Sequence, residues 1–205
     1  MSERDLRGVA DLYTRSLAEH GTEPRGVGWR DDETHLLRFA KLVEVIAPDD
    51  RAPDLNDLGC GYGALWRYLD SIGRRPSRYV GYDISEEMLA EARGVLPDDV
   101  ELIRGSRLET HADYGFGSGI FNVRLETPES EWAKHVRASL RDLYDHSRRG
   151  FAFNALTSYV DYREPNLYYA DPREWLDFCK RELSPRVALL HDYPLYEWTM
   201  IVRRP

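Results

Sequence analysis

Three glycines, Gly59, Gly61 and Gly63, stand at every second position between the apolar run at residues 55–58 and a helical pattern that resumes at Ala64. Glycine has no Cβ and tolerates positive φ, so a strand that runs into such a bend and then into a helix lets a nucleotide approach the backbone closely. Ligand oxygens can then meet free helix N–H groups. Asp83 closes a second apolar run, residues 79–82, at about the 20-residue distance from the glycines where a βαβ unit carries a ribose-binding carboxylate. Each feature alone is a weak signal; together they describe a nucleotide site.

The elements around them alternate. Strand patterns at residues 54–58, 79–82, 100–103, 113–120 and 151–156 are separated by helical patterns after Gly63, at 86–95 and at 130–147, with Gly150 expected to end the last. Such alternation predicts an α/β fold, a parallel sheet covered by helices on both faces. The strand at 113–120 holds Gly115, Gly117 and Gly119, and glycine there predicts that a ligand or another backbone comes close. After a helix at 172–183, the runs 186–191 and 195–202 flank Pro194 and form an antiparallel hairpin. Ahead of the sheet, Leu6, Val9, Ala10, Tyr13 and Leu17 recur at helical spacing over residues 3–20, an amphipathic flank or lid. The glycine-rich stretch 21–28 reads as a loop that delivers Trp29 to a helix over about 32–46, capped by Asp31 or Thr34.

The 205 residues, 42% hydrophobic, suit one domain with a sizeable core. A formal charge of −8, with no cluster of Lys and Arg, argues against nucleic acid as substrate. Cys60 and Cys179 form neither a disulfide framework nor a metal set, and the six histidines lack ligand spacing. No metal is expected. With no leader-like N-terminus and no membrane-length apolar run, the expected localisation is cytoplasmic, without a membrane partner and with oligomeric state open.

The string Asp57-Leu58-Gly59-Cys60-Gly61-Tyr62-Gly63, followed by Gly81-Tyr82-Asp83-Ile84-Ser85 and Met88-Leu89-Ala90, resembles the class I S-adenosylmethionine-dependent methyltransferases over about residues 55–95. That resemblance implies a Rossmann-like domain spanning residues 1–205, with a mostly parallel seven-stranded sheet and a C-terminal antiparallel hairpin. Residues 1–50 form a helical flank or lid and 51–205 the α/β core. S-adenosylmethionine is the implied cofactor. Asp83 would bind its ribose hydroxyls, Gly59, Cys60, Gly61 and Gly63 its methionine portion, and Ile84 the adenine face, with Asp57 a further cofactor contact. Ser106 stands where the family often places an acidic residue near the adenine amino group, so Ser106, Arg107 or a backbone group would serve instead. Ser118 falls beside the methionine end. Gly59, Gly61 and Ala64 also satisfy the looser dinucleotide pattern, which leaves an NAD-linked dehydrogenase open.

Around that centre stand the remaining candidates. Trp29 offers an aromatic face to a sulfonium, and Arg38 a guanidinium to a methionine carboxylate, unless they are a core wedge and a solvated charge. A tyrosine-rich insertion at about 157–170 follows a strand end, where ligand loops occur, and reads either as a wall around the sulfonium or as a packed surface loop that buries its rings. Tyr159, Asp161 and Tyr162 within it, with His35 near the mouth, are the candidate catalytic groups. Phe121, Asn122, Asn154, Tyr168 and Tyr169 are the candidate substrate contacts, with Asn154 equally readable as a satisfied core amide. The leading function is methyl transfer to oxygen or nitrogen of a small metabolite or natural-product intermediate. The alternatives are a cyclase or lyase that consumes the cofactor and releases methylthioadenosine, a non-catalytic cofactor-binding subunit, and the dehydrogenase.

Overall fold

The structure is a computed structural model that describes residues 3–20 and 32–205. Trp29, the 21–28 loop and the Asp31 cap lie outside the described residues. Eight strands form one sheet in the order β3-β2-β1-β4-β5-β8-β7. They are β1 (Asp54–Leu58), β2 (Arg78–Asp83), β3 (Glu101–Arg104), β4 (Ala112–Gly117), β5 (Ser147–Thr157), β6 (Tyr169–Ala170), β7 (Arg186–Leu190) and β8 (Glu197–Arg203). The first five pair in parallel, β8 runs antiparallel to both β5 and β7, and the two-residue β6 adds to the carboxyl end of β5. The eighth strand, β6, is carried by the tyrosine-rich insertion. Its two residues are too few to show a period.

Helices cover both faces, because alternate residues of each central strand are apolar and must be buried on opposite sides. One face sets Leu58, Tyr82, Phe151, Phe153 and Trp198 against α5 (Glu129–Asp145) and α6 (Pro172–Phe178), which contribute Trp132, Leu140, Leu143 and Trp175. The other sets Leu55, Tyr79, Phe116, Ala152 and Ile201 against α2 (Asp32–Leu42), α3 (Ala64–Ser71) and α4 (Glu86–Val95) through Phe39, Leu42, Leu65, Trp66, Leu69 and Ala92. The first helix, α1, spans Glu3–His20.

Two glycine expectations change. Gly150 does not end α5, which stops at Asp145; it lies inside β5, where an added Cβ would fall 2.6 Å from the Val202 carbonyl oxygen. In β4, which ends at Gly117, the close neighbours of Gly115 and Gly117 are side chains rather than a ligand. A Cβ would meet Ser147 Oγ at 2.7 Å on Gly115 and Ile120 Cδ1 at 3.2 Å on Gly117, and Leu143 packs against both. These glycines bring α5 down onto the sheet.

A buried polar chain ties α2 to the strand ends. Arg38 Nε and Nη2 donate to the two oxygens of Glu197 at 2.7 and 2.5 Å, Asn154 Nδ2 donates to Glu197 Oε2 at 2.7 Å, and Asn154 Oδ1 accepts from the Gly119 amide at 2.7 Å. Arg38, Glu197 and Asn154 are all buried. Removing one charge of such a pair strands the other without water. Arg38→Met is expected to lower the unfolding free energy by about 3–5 kcal/mol in a urea titration, and Arg38→Met combined with Glu197→Met to recover part of that loss.

Candidate active site

The parallel strands β1, β2 and β4 all end at one edge, and there the chain must turn. Gly59 and Cys60 donate their amides to the Tyr82 carbonyl at 2.7 and 3.0 Å, which bends β1 over the end of β2. Asp83 then receives the Gly61 amide on Oδ2 and the Ser85 amide on Oδ1, both at 2.9 Å. Burial raises the Asp83 carboxyl above its ordinary value, while those amides pull it back. Each oxygen keeps a lone pair for a further donor.

The three glycines have different reasons to be glycine. All have positive φ, +74° at Gly59, +54° at Gly61 and +83° at Gly63. A Cβ on Gly59 would sit 2.1 Å from Ile120 Cγ2 and one on Gly63 2.4 Å from Leu96 Cδ1, so both are packing positions. At Gly61 an added Cβ would meet nothing within 4 Å among the described residues. Open space lies there.

That space belongs to an open cleft lined by Gly59, Gly61, Asp83, Ile84, Ser106 and Ser118 among others. Its far walls were not read as site residues from the sequence. Leu6, Val9, Ala10 and Tyr13 of α1 form one, and Trp132, His135 and Ser139 of α5 another. The signal for α1 was its apolar stripe, which faces the cleft. Thr14 fastens α1 in place: its hydroxyl shares a 3.0 Å hydrogen bond with that of Ser85, the residue whose Oγ caps α4 by accepting the Met88 amide. Burial pushes the Tyr13 phenol up to about 12 and the His135 imidazole down to about 4, so both stay neutral.

A second cleft shares Gly59, Gly61 and Ser118 with the first and adds His35, Phe39, Asp57, Cys60 and Tyr62. Asp57 accepts a hydrogen bond from the Tyr79 hydroxyl on Oδ2, and its buried Oδ1 has no hydrogen-bond partner among the described residues. Burial holds this carboxyl up at about 7, with the Tyr79 bond opposing and the charge of Asp83 adding to the rise. His35 is pushed down to about 3, by burial first and then by Arg38, so its ring is neutral at physiological pH and a weak base. Cys60 packs its sulfur under the turn, where a Cβ on Gly81 would lie 2.8 Å away, and burial raises its thiol well above the ordinary range.

Other expected site residues go elsewhere. Arg38 spends two of its guanidinium nitrogens on Glu197, and Asn154 has both ends of its amide occupied, so they hold the framework rather than line a cleft. Tyr159 and Tyr162 are 58% and 69% exposed, Asp161 is exposed beside them, and none of the three lines either cleft. Phe121 and Tyr168 are core residues. Asn122 Oδ1 accepts the Leu156 amide, and the Tyr169 hydroxyl accepts that of Glu164. The insertion folds back on β5 through β6 and buries Tyr168 edge-on to Trp175, 6.5 Å between ring centroids.

Parallel strands ending in a glycine turn, a carboxylate one strand over, and a cleft at a point where strand order reverses define an α/β protein that binds a nucleotide at its carboxyl edge. Comparison with known proteins narrows the class. Residues 56–148 match the model of the methyltransferase domain family. Over 154 residues, 73% of this chain and 92% of the relative, the sequence is 50% identical to Rv1506c of Mycobacterium tuberculosis, which carries the name of a methyltransferase. The chain belongs to the class I S-adenosylmethionine-dependent methyltransferases. Its fold is similar to that of magnesium protoporphyrin IX methyltransferase from Synechocystis PCC 6803, solved with S-adenosylmethionine, at 14% identity and a TM-score of 0.69 over 98% of this chain and 97% of that one. It is similar also to DhpI, solved with S-adenosylhomocysteine, at 16% identity and a TM-score of 0.67 over the whole of both chains.

Asp57 carries a pH signature. Its folded value near 7 lies above the unfolded 3.8, so the folded state holds the extra proton, and that contribution to stability is complete below about 3.8 and lost as pH rises through about 7. The melting temperature of the ligand-free protein is expected to fall across this window, and Asp57→Asn to flatten the fall.

Proposed function

We propose that this protein transfers a methyl group from S-adenosylmethionine to oxygen or nitrogen of a small acceptor. The observation that carries the reading is the pair of adjoining clefts that share Gly59, Gly61 and Ser118. The larger offers Asp83, Ile84 and Gly61 to an adenosyl group, and the smaller, walled by His35, Phe39 and Tyr62 and holding Asp57, would take the methionine end of the cofactor with a compact acceptor beside it. The overall charge of −8 supports the same view, since a nucleic-acid substrate calls for a basic surface.

The cofactor fits the residues present. Asp83 has lone pairs left for two ribose hydroxyls, and Asp57 Oδ1 is a buried acceptor matched to an ammonium group. Ile84 supplies an apolar face, and Gly61 leaves the backbone open to close approach. When bound, S-adenosylmethionine supplies a methyl group already activated on a sulfonium. The protein's part is orientation and exclusion of water: α1 closes one side with Leu6, Val9 and Tyr13, and the Arg38 to Asn154 chain fixes the Gly119 loop between the clefts. Among the described residues, no helix is long and apolar enough to cross a membrane.

The test joins binding to product analysis. Titration calorimetry with S-adenosylhomocysteine is expected to show a complex that Asp83→Ala weakens by about 100-fold, two charge-assisted hydrogen bonds being lost. Incubation with methyl-labelled S-adenosylmethionine and a metabolite extract is expected to place label in the small-molecule fraction. Label in protein or RNA would overturn the acceptor class, and methylthioadenosine as the product would overturn methyl transfer.

A further inference from the structure

The first cleft has one end whose polar groups the reading above leaves unused. Asp83 ends β2, and one strand outward Gly105 and Ser106 follow β3; the opposite wall is α5, presenting Trp132, His135 and Ser139. The loop after β3 is fastened to that helix by the Leu108 amide, which donates to Asp142 Oδ2 at 2.9 Å, so the far end of the cleft is walled by both. A ribose held at Asp83 with its base on Ile84 directs the base into this end. The loop residues there, Arg104-Gly105-Ser106-Arg107, include no carboxylate to accept from an exocyclic amine.

The helix wall compensates. Trp132 already donates its indole N–H to the Phe121 carbonyl at 2.9 Å, which fixes the ring as an apolar surface. His135 lies against it, ring centroids 5.1 Å apart, and Ser139 follows four residues on, on the same helix face. Among the described residues, neither His135 nor Ser139 makes a side-chain hydrogen bond. A neutral imidazole has one lone-pair nitrogen that can accept from an amino group, and the Ser139 hydroxyl can donate to a neighbouring ring nitrogen. Adenine presents the complement on an edge, an amino donor beside a ring-nitrogen acceptor.

We infer that His135, supported by Ser139, is the residue of this chain that reads the edge of the adenine base, making base selection a property of α5 rather than of the loop after β3. The inference rests on the first cleft being the adenosyl site. Burial keeps the imidazole uncharged at physiological pH, so its accepting nitrogen is present throughout the working range. A buried amino group with no acceptor is costly, which is what turns one contact into discrimination.

The experiment is titration calorimetry of the full chain with two probes, S-adenosylhomocysteine and S-inosylhomocysteine, which differ at the base edge alone. The wild type is expected to prefer the adenosyl compound by about tenfold or more, one hydrogen bond's worth. His135→Phe, which keeps a ring and removes both nitrogens, is expected to weaken the adenosyl compound by about tenfold, leave the inosyl compound unchanged and so abolish the preference; His135→Gln, with an amide donor and acceptor, restores part of it. Equal weakening of both probes in His135→Phe would mean a packing role and overturn the inference, as would an undiminished preference. A wild type that binds neither probe would overturn the adenosyl reading of the cleft itself, and the inference with it.

Discussion

The site is organised by one buried carboxylate. Asp83 accepts the Gly61 amide on one oxygen and the Ser85 amide on the other, and so joins the turn after β1 to the start of α4. Without an acceptor there, two backbone N–H groups at a strand edge would face a cleft with nothing to satisfy them. The same two bonds leave the carboxylate aimed at whatever enters, because each oxygen has capacity left over. Structure and binding are thus one arrangement: the group that holds the turn closed is the group a ribose would meet.

A second constraint works from the other side. The Gly119 amide, at the end of β4, is held by Asn154, which is held by Glu197, which is held by Arg38 of α2. Buried ion pairs contribute little net stability, since desolvating both charges offsets most of their attraction, but they are strict about geometry. Here that strictness sets the position of the loop shared by both clefts. The helix that walls the second cleft with His35 and Phe39 is therefore coupled to the loop that lines the first. Thr14, bonded to the cap residue of α4, does for α1 what Arg38 does for α2.

Much of this was legible in the residues. Asp57, the glycine turn and Asp83 are close in sequence and local in geometry, and all but Gly63 line a cleft. Gly63 is explained by Leu96 instead. The hydrophobic periods located every strand but β6, and the polarity of the Arg186–Leu190 and Glu197–Arg203 runs followed from the short connection between them. The tyrosine-rich insertion left two readings open, because aromatic composition does not say which rings turn inward. Tyr168 went to the core by packing on Trp175, whereas Tyr159 and Tyr162 stayed at the surface.

What the sequence determined by itself is whatever depends on neighbours along the chain: the alternation of strands and helices, the turn that needs positive φ, the carboxylate at the end of the next strand, and the family to which these belong. Only the tertiary structure decided which distant side chains would complete the site. Arg38 and Glu197 are 159 residues apart, and their pairing removed a candidate ligand from the cleft. His135 and Ser139 look like ordinary positions on an amphipathic helix until Gly115 and Gly117 let α5 settle against β4 and bring them to the cleft wall. Burial, which arises only when separate segments pack, then set the protonation of Asp57, His35 and His135, because the cost of a charge depends on the water removed around it.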